Sequence, residues 1–348
     1  MMTVGDQPRA RDEAWRALTK MATIYRQSHL LYAALELQVF SRLSEDGAKA
    51  EQLAAEIGLD LLPATLLLNG LVGVGLLKKI EGRFYAEPSI QELLGAGEHS
   101  VVDQLLQHKA QNPAWLGMAD ILRGNAERPH ESYESILFAS DHMDGYLKMV
   151  RSVNAPDMAG FIDLVVAHLP RAANVLDLGG GHGEHAVLLL DRLPSAEVTL
   201  LDLPKAIEVC DRLQAKNPHR ARLHLRSGDA LLLSSRDEFD GIMTSDMMHS
   251  FDAEGKRRII ANCIKALRPG GILAISKFRR LRDADDTAST SMFALKVYLN
   301  SHGGYLESDE EVHEMLAEAD LEGIESRRIG SDKTVIIARK PARASCAA

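Results

Sequence analysis

The chain has 348 residues, 46% of them hydrophobic and 26% charged, and a formal net charge of −9. That apolar content suffices for one large core or two smaller ones, while the acidic balance argues against a nucleic-acid backbone as main partner. No apolar run approaches the ~18 residues of a membrane span. Residues 1–11 carry no signal-peptide pattern, and Cys210, Cys263 and Cys346 are too few and scattered for a disulfide framework or a zinc site. A cytoplasmic protein without a resident metal or a membrane partner is expected.

Residues 21–43 carry a strong helical pattern, and residues 50–59 form a short amphipathic helix stopped by Gly58. Residues 63–75 (PATLLLNGLVGVG) predict a third helix with Leu66, Leu67, Leu71 and Val74 on its apolar side. Residues 76–85 alternate around Glu81-Gly82 as a small hairpin does. Three helices and a two-stranded wing predict a winged-helix module over residues 12–98. Its third helix has no Lys or Arg and only Asn69 to read a base edge, with Lys78, Lys79 and Arg83 confined to the wing. Dimerisation or pocket building therefore suits the module better than DNA reading. Residues 99–160 read as a helical bridge, with a turn at 124–129. Residues 161–340 read as a second domain and residues 341–348 as a frayed tail.

The second domain opens with residues 175–183, VLDLGGGHG. An apolar run that breaks into glycines predicts a buried parallel strand and a turn where the backbone meets a ligand closely. A helix over residues 185–193 follows. The absence of Gly-Lys-Ser/Thr excludes a P-loop. A second strand ends in Asp202 at a spacing that suits a ribose diol, and a third ends near Gly228-Asp229-Ala230, where a carboxylate can accept from an adenine amino group. Asp177, Gly179, Gly181, Asp202 and Asp229 thus describe a nucleoside pocket with an acidic rim. Such a rim suits a cationic cofactor better than a pyrophosphate.

The order of winged helix, bridge and VLDLGGGHG resembles the plant- and bacterial-type small-molecule O-methyltransferases. Asp202-Leu203-Pro204, Gly228-Asp229, Trp115-Leu116, Arg123-Gly124 and the segment 267–275 (LRPGGILAI) carry the resemblance. It implies an α/β architecture, with a mostly helical N-terminal dimerisation domain and a Rossmann-like seven-stranded methyltransferase domain. Residues 240–245 would be the fourth strand, and residues 324–329 and 334–339 the last antiparallel pair. S-adenosyl-L-methionine is the implied cofactor, held by Asp177, Gly179, Gly181, Asp202, Leu203, Gly228, Asp229, Ala230, Ser245 and Ser152. A homodimer and a small aromatic or polyketide-like hydroxyl acceptor are implied with it.

Methyl transfer from a sulfonium needs a positioned acceptor and a place for its proton. His249 aligns with the family's catalytic histidine, in the range suited to a general base. Two neighbours depart from the family. Ser250 stands where Asp usually follows the histidine, and Leu306 stands where the family often has Glu, with Glu307 one residue later. Asp246, Asp252 and Glu307 are candidates for the acid that orients the imidazole. Tyr146, Met149, Met248, Met292, Phe293 and His302 are expected around the acceptor, with Met247, Phe251 and Tyr298 near them. Carbon or nitrogen methylation, a non-methylating reaction on the same cofactor, and a winged-helix regulator are the alternatives.

Overall fold

The computed structural model describes residues 7–97, 100–128, 143–279, 288–301 and 303–342. The chain divides into two compact units that part between Ala110 and Gln111. His302, Cys346 and the end of the 124–129 turn lie outside the described residues.

In the first unit, Gln7–Thr23 and Tyr25–Glu36 are separate helices, so the pattern of residues 21–43 is not one rod. Gln38 takes a φ of +55°, which ends the second helix ahead of a short 3-10 turn, Phe40–Arg42. Ala50–Ile57 stops at Gly58, whose φ of +72° is the left-handed cap that glycine adopts without steric cost. The third helix runs Leu61–Gly73 and buries Ala64, Leu68 and Leu71. Leu66 and Val74, expected on its inner side, are instead 64% and 37% exposed. The helix is apolar on nearly every face, so periodicity could not select the buried one. Strands β1 (Ala48–Lys49), β2 (Lys78–Ile80) and β3 (Arg83–Tyr85) form the wing in the order β1-β3-β2. Positive φ at both Glu81 (+49°) and Gly82 (+79°) makes the β2–β3 turn a tight one whose twist matches the strands. Phe40, Leu53, Leu68, Leu71 and Phe84 form the core of this unit. Val102–Ala110 belongs to it too, because Val102, Leu105 and Leu106 pack on that core. Among the described residues no single helix is long and apolar enough to cross a membrane.

The second unit is built on a seven-stranded sheet. Its strands are β4 (Asn174–Leu178), β5 (Glu197–Asp202), β6 (Leu223–Ser227), β7 (Phe239–Ser245), β8 (Leu267–Phe278), β9 (Glu322–Ile329) and β10 (Lys333–Arg339). They lie in the order β6-β5-β4-β7-β8-β10-β9, parallel from β6 to β8, with β10 antiparallel to both its neighbours. β4 and the centre of β7 are buried at nearly every position because both faces of the sheet are covered. One face packs Leu176, Ile242, Ile259, Leu273 and Leu316 under the helices Ala253–Ala266 and Asp309–Glu318. The other packs Phe161, Ile162, Val175, Leu189 and Met243 under Met143–Val166 and Glu184–Arg192. Cys210 and Cys263 are buried in these layers as free thiols, which burial pushes up to about 12. The order in which the chain lays down its strands reverses at β4, with β5 and β6 added on one side and β7 and β8 on the other. The ligand crevice of such a sheet opens at the carboxyl ends of the strands flanking that point.

Candidate active site

A cavity of about 380 Å³ lies at those strand ends, a size that suits a small cofactor. After β4 the chain turns through Gly179 (φ +71°), Gly180 and Gly181 (φ +52°). Space and conformation both demand glycine here. A Cβ on Gly179 would lie 2.6 Å from the Met247 sulfur, and one on Gly180 would lie 2.7 Å from the Asp177 carboxylate. Gly183, at φ +80°, then starts the helix Glu184–Arg192.

The acids divide the work. Asp202, at the end of β5, accepts the Gly181 N–H at 2.9 Å through Oδ2 and the Leu203 N–H at 2.7 Å through Oδ1. Those bonds bind the glycine loop to the second strand end. Asp229 accepts the Leu231 N–H at 2.8 Å and so shapes the short turn Ala230–Leu232. Asp177 is 2% exposed and lies behind Gly180. Burial pushes its carboxyl up to about 7, the Asp202 charge adds to this, and a backbone bond from Ala186 opposes it. One Asp177 oxygen, Oδ2, has no hydrogen-bond partner. The Asp202 and Asp229 carboxylates on the cavity wall fit a cationic ligand, and a glycine cradle fits a flat nucleoside pressed against backbone. Among the described residues the donor set holds no phosphate clamp.

Of the residues expected to hold the cofactor, Gly179, Gly181, Asp202, Leu203, Gly228, Asp229, Ala230 and Ser245 line the cavity, together with Tyr146. Asp177 and Ser152 do not, because Asp177 lies behind Gly180 and Ser152 sits on the exposed face of Met143–Val166. The inward face of that helix is spaced through Leu147, Val150 and Asn154. His182, His185 and Asp246 also line the cavity. Their signal lay in GGGHGEH and in the residue directly after β7. Burial is the main reason that His182 is pushed down to about 4 and His185 to about 3, and both are neutral at physiological pH.

His249 lies on the short turn Met248–Ser250 beyond β7. Its ring meets Phe293 edge-on at a centroid distance of 5.3 Å and Phe278 at 6.3 Å, and those two phenyl rings lie 4.5 Å apart. Burial pushes this imidazole down to about 3, and the charges of Lys296, Lys256 and Lys333 add to the effect. It therefore presents a neutral ring nitrogen. All three acids proposed to orient it have other partners, and Asp246 accepts from the Lys333 ammonium. Asp252 accepts the Gly255 N–H at 2.7 Å as the cap of Ala253–Ala266. Glu307, 2% exposed, takes the Lys256 ammonium at 2.7 Å. That ammonium also donates to the Tyr305 carbonyl at 2.8 Å and lies 3.4 Å from the Tyr305 ring centre. Met248 is buried in the core, Met149 is half-buried outside the cavity lining, and Met292 is 53% exposed. Among the described residues no three potential ligands cluster to hold a metal.

The parallel sheet, the glycine cradle and the strand-end acids define a nucleoside-binding transferase of the Rossmann-like methyltransferase class. The methyltransferase-domain family model matches residues 175–271, and the O-methyltransferase dimerisation domain matches residues 19–94. The chain belongs to the plant- and bacterial-type O-methyltransferase family, and it is an S-adenosylmethionine-dependent enzyme. It is 24% identical to 3-hydroxy-5-methyl-1-naphthoate 3-O-methyltransferase of Streptomyces sahachiroi, over 82% of this chain and 84% of that one. It is 27% identical to 3-amino-4-hydroxybenzoate 4-O-methyltransferase of Streptomyces cremeus, over 90% and 86%. Human N-acetylserotonin methyltransferase, solved in complex with SAM, shares the fold with a TM-score of 0.75 and 20% identity. That match covers 94% of this chain and 98% of the human one.

Proposed function

We propose that this methyltransferase moves a methyl group to a hydroxyl of a small aromatic or polyketide-like metabolite, with His249 accepting the hydroxyl proton. The observation that carries the reading is the placement of His249. A neutral imidazole is held between two phenyl rings, on the loop that leaves the cofactor cavity at β7. The hydroxyaryl acceptors named for the two Streptomyces relatives support the same acceptor class.

Bound S-adenosylmethionine supplies a methyl carbon already activated by its sulfonium. Asp202 and Asp229 would hold the ribose and adenine, and the glycine loop would bring backbone against the nucleoside. Phe278 and Phe293 fix the plane of His249 and shield the acceptor from water. His249 would take the hydroxyl proton of the bound acceptor on a ring nitrogen. With no carboxylate assigned to orient the imidazole, packing against the two phenyl rings is left to do it.

We further propose that the chain works as a homodimer joined through the first unit. The dimerisation-domain match supports this. So do the exposed Trp15, Leu18, Met21, Leu62 and Leu66, whose large side chains a lone domain would bury.

The test is S-adenosylhomocysteine release across a panel of phenols, hydroxyquinones and heteroaromatic alcohols, wild type beside His249→Ala. Turnover that drops about 10²-fold or more in the variant supports the reading. Turnover indifferent to the substitution removes His249 as the base. Tight cofactor binding with no release from any acceptor points to other chemistry on the same cofactor.

A further inference from the structure

Asp246 combines three unfavourable features at one residue. It follows the end of β7 with a φ of +54°, a left-handed conformation that non-glycine residues adopt at a cost. Its side chain is 8% exposed, and its Oδ1 is buried without a hydrogen-bond partner. The other oxygen, Oδ2, is fixed. It accepts from the Lys333 ammonium at 2.5 Å and from the Ser245 hydroxyl at 3.3 Å. The same ammonium donates to Asn154 Oδ1 at 2.8 Å. Asp246 and Asn154 both line the cavity. A purely structural pair would use both carboxylate oxygens, and here one is left over. Burial raises the Asp246 carboxyl despite its lysine, and the nearby Asp157 charge adds to the rise.

Sheet order says which part of a ligand comes to Asp246. Neighbouring strand ends are about 4.8 Å apart, and the order here is β6-β5-β4-β7. With adenine at the β6 end (Asp229) and ribose at the β5 end (Asp202), the rest of the cofactor runs past the β4 glycines to the end of β7. What remains of the molecule there is its sulfonium and its amino-acid end. We propose that Asp246, held by Lys333 through Oδ2, takes the α-ammonium of the cofactor's amino-acid end. The assignment rests on the cofactor reading above. It makes Asp246 a binding residue for the known reaction, distinct from the acids that hold the nucleoside.

Calorimetry with four ligands tests it without turnover. They are S-adenosylmethionine, S-adenosylhomocysteine (ammonium, no sulfonium), the decarboxylated amine 5′-(3-aminopropylthio)adenosine (ammonium, no carboxylate) and 5′-methylthioadenosine (neither). Asp246→Asn keeps the shape and tolerates the left-handed backbone. The first three ligands should weaken together by about 10- to 100-fold, as for a charge-assisted bond, with methylthioadenosine within about threefold of wild type. Loss for S-adenosylmethionine alone would make the sulfonium the partner and overturn the assignment. Equal loss for all four, or for none, would leave Asp246 a structural residue and overturn it too. Wild-type protein that binds none of the four overturns the cofactor reading itself, and the assignment with it. If Asp246→Asn fails to fold with its buried lysine unpaired, Asp246→Asn combined with Lys333→Met removes both charges and is read against the same four outcomes.

Discussion

The proposed cofactor side of the site and the proposed acceptor side are built by different means. On the cofactor side, strand ends β4, β5 and β6 deliver Gly179, Asp202 and Asp229 in an order fixed by the sheet. Backbone N–H groups tie the last two acids in place. On the acceptor side, His249 takes its setting from side chains of β8 and of the helix Ala288–Asn300, through Phe278 and Phe293. One side is held by hydrogen bonds within neighbouring loops, the other by ring packing between distant segments. Recognition of the invariant ligand is thus separated from recognition of the variable one. A substitution on either side should move one binding constant and spare the other.

The largest effect sharpens that division. His249→Ala should lower kcat by about 10²- to 10⁴-fold and leave S-adenosylhomocysteine affinity as it was, measured by calorimetry beside steady-state turnover. A parallel loss of cofactor affinity would mean that the two sides are one. Gly180→Ala is the converse. Its Cβ would meet Leu200 at 2.6 Å and Asp177 at 2.7 Å. The 1–3 kcal/mol typical of overpacking predicts about 10- to 100-fold weaker cofactor binding, and wild-type affinity in this variant would show that the loop yields.

The pH dependence of binding separates the sides again. Asp177 stands at about 7 in the protein without ligand, and a cationic cofactor favours its ionised form. Affinity should be level above pH 7 and fall as pH drops below it, by up to about tenfold per unit. His249, His182 and His185 stay neutral throughout, at about 3, 4 and 3, so they add no step between pH 5 and 8. Asp202 and Asp246 are also raised by burial, so the diagnostic is Asp177→Asn, which should flatten the profile. An unchanged slope would assign the proton elsewhere. The smallest effect concerns Asp252. As a helix cap its replacement by Ala should cost about 1 kcal/mol of stability, read by denaturant titration. A loss of turnover far beyond that would return Asp252 to the side of His249.

What could be read from the sequence follows the same division. Gly179, Gly181, Asp202 and Asp229 were legible because each is set by a local strand-to-loop pattern. Asn154 was within reach, since it shares a helix face with Leu147 and Val150, whereas Ser152, carried over from the resemblance, falls on the exposed side. The partner of Glu307 was not legible. Lys256 lies 51 residues away in the chain, and no spacing rule joins a helix to a loop at that distance. The inner face of Leu61–Gly73 was hidden for another reason, since a helix apolar all round gives no period to read.

The buried Lys256–Glu307 pair has a consequence for how such enzymes diverge. It locks the segment around Tyr305 to the helix Ala253–Ala266, and removing one partner of a buried pair is costly enough to be purged by selection. On the helix Ala288–Asn300, Met292 and Tyr298 are 53% and 37% exposed, and Tyr298 meets the Arg128 guanidinium 4.5 Å over its ring rather than a buried ion pair. Substitutions at those two side chains therefore cost the fold little, whereas the segment around Tyr305 tolerates few.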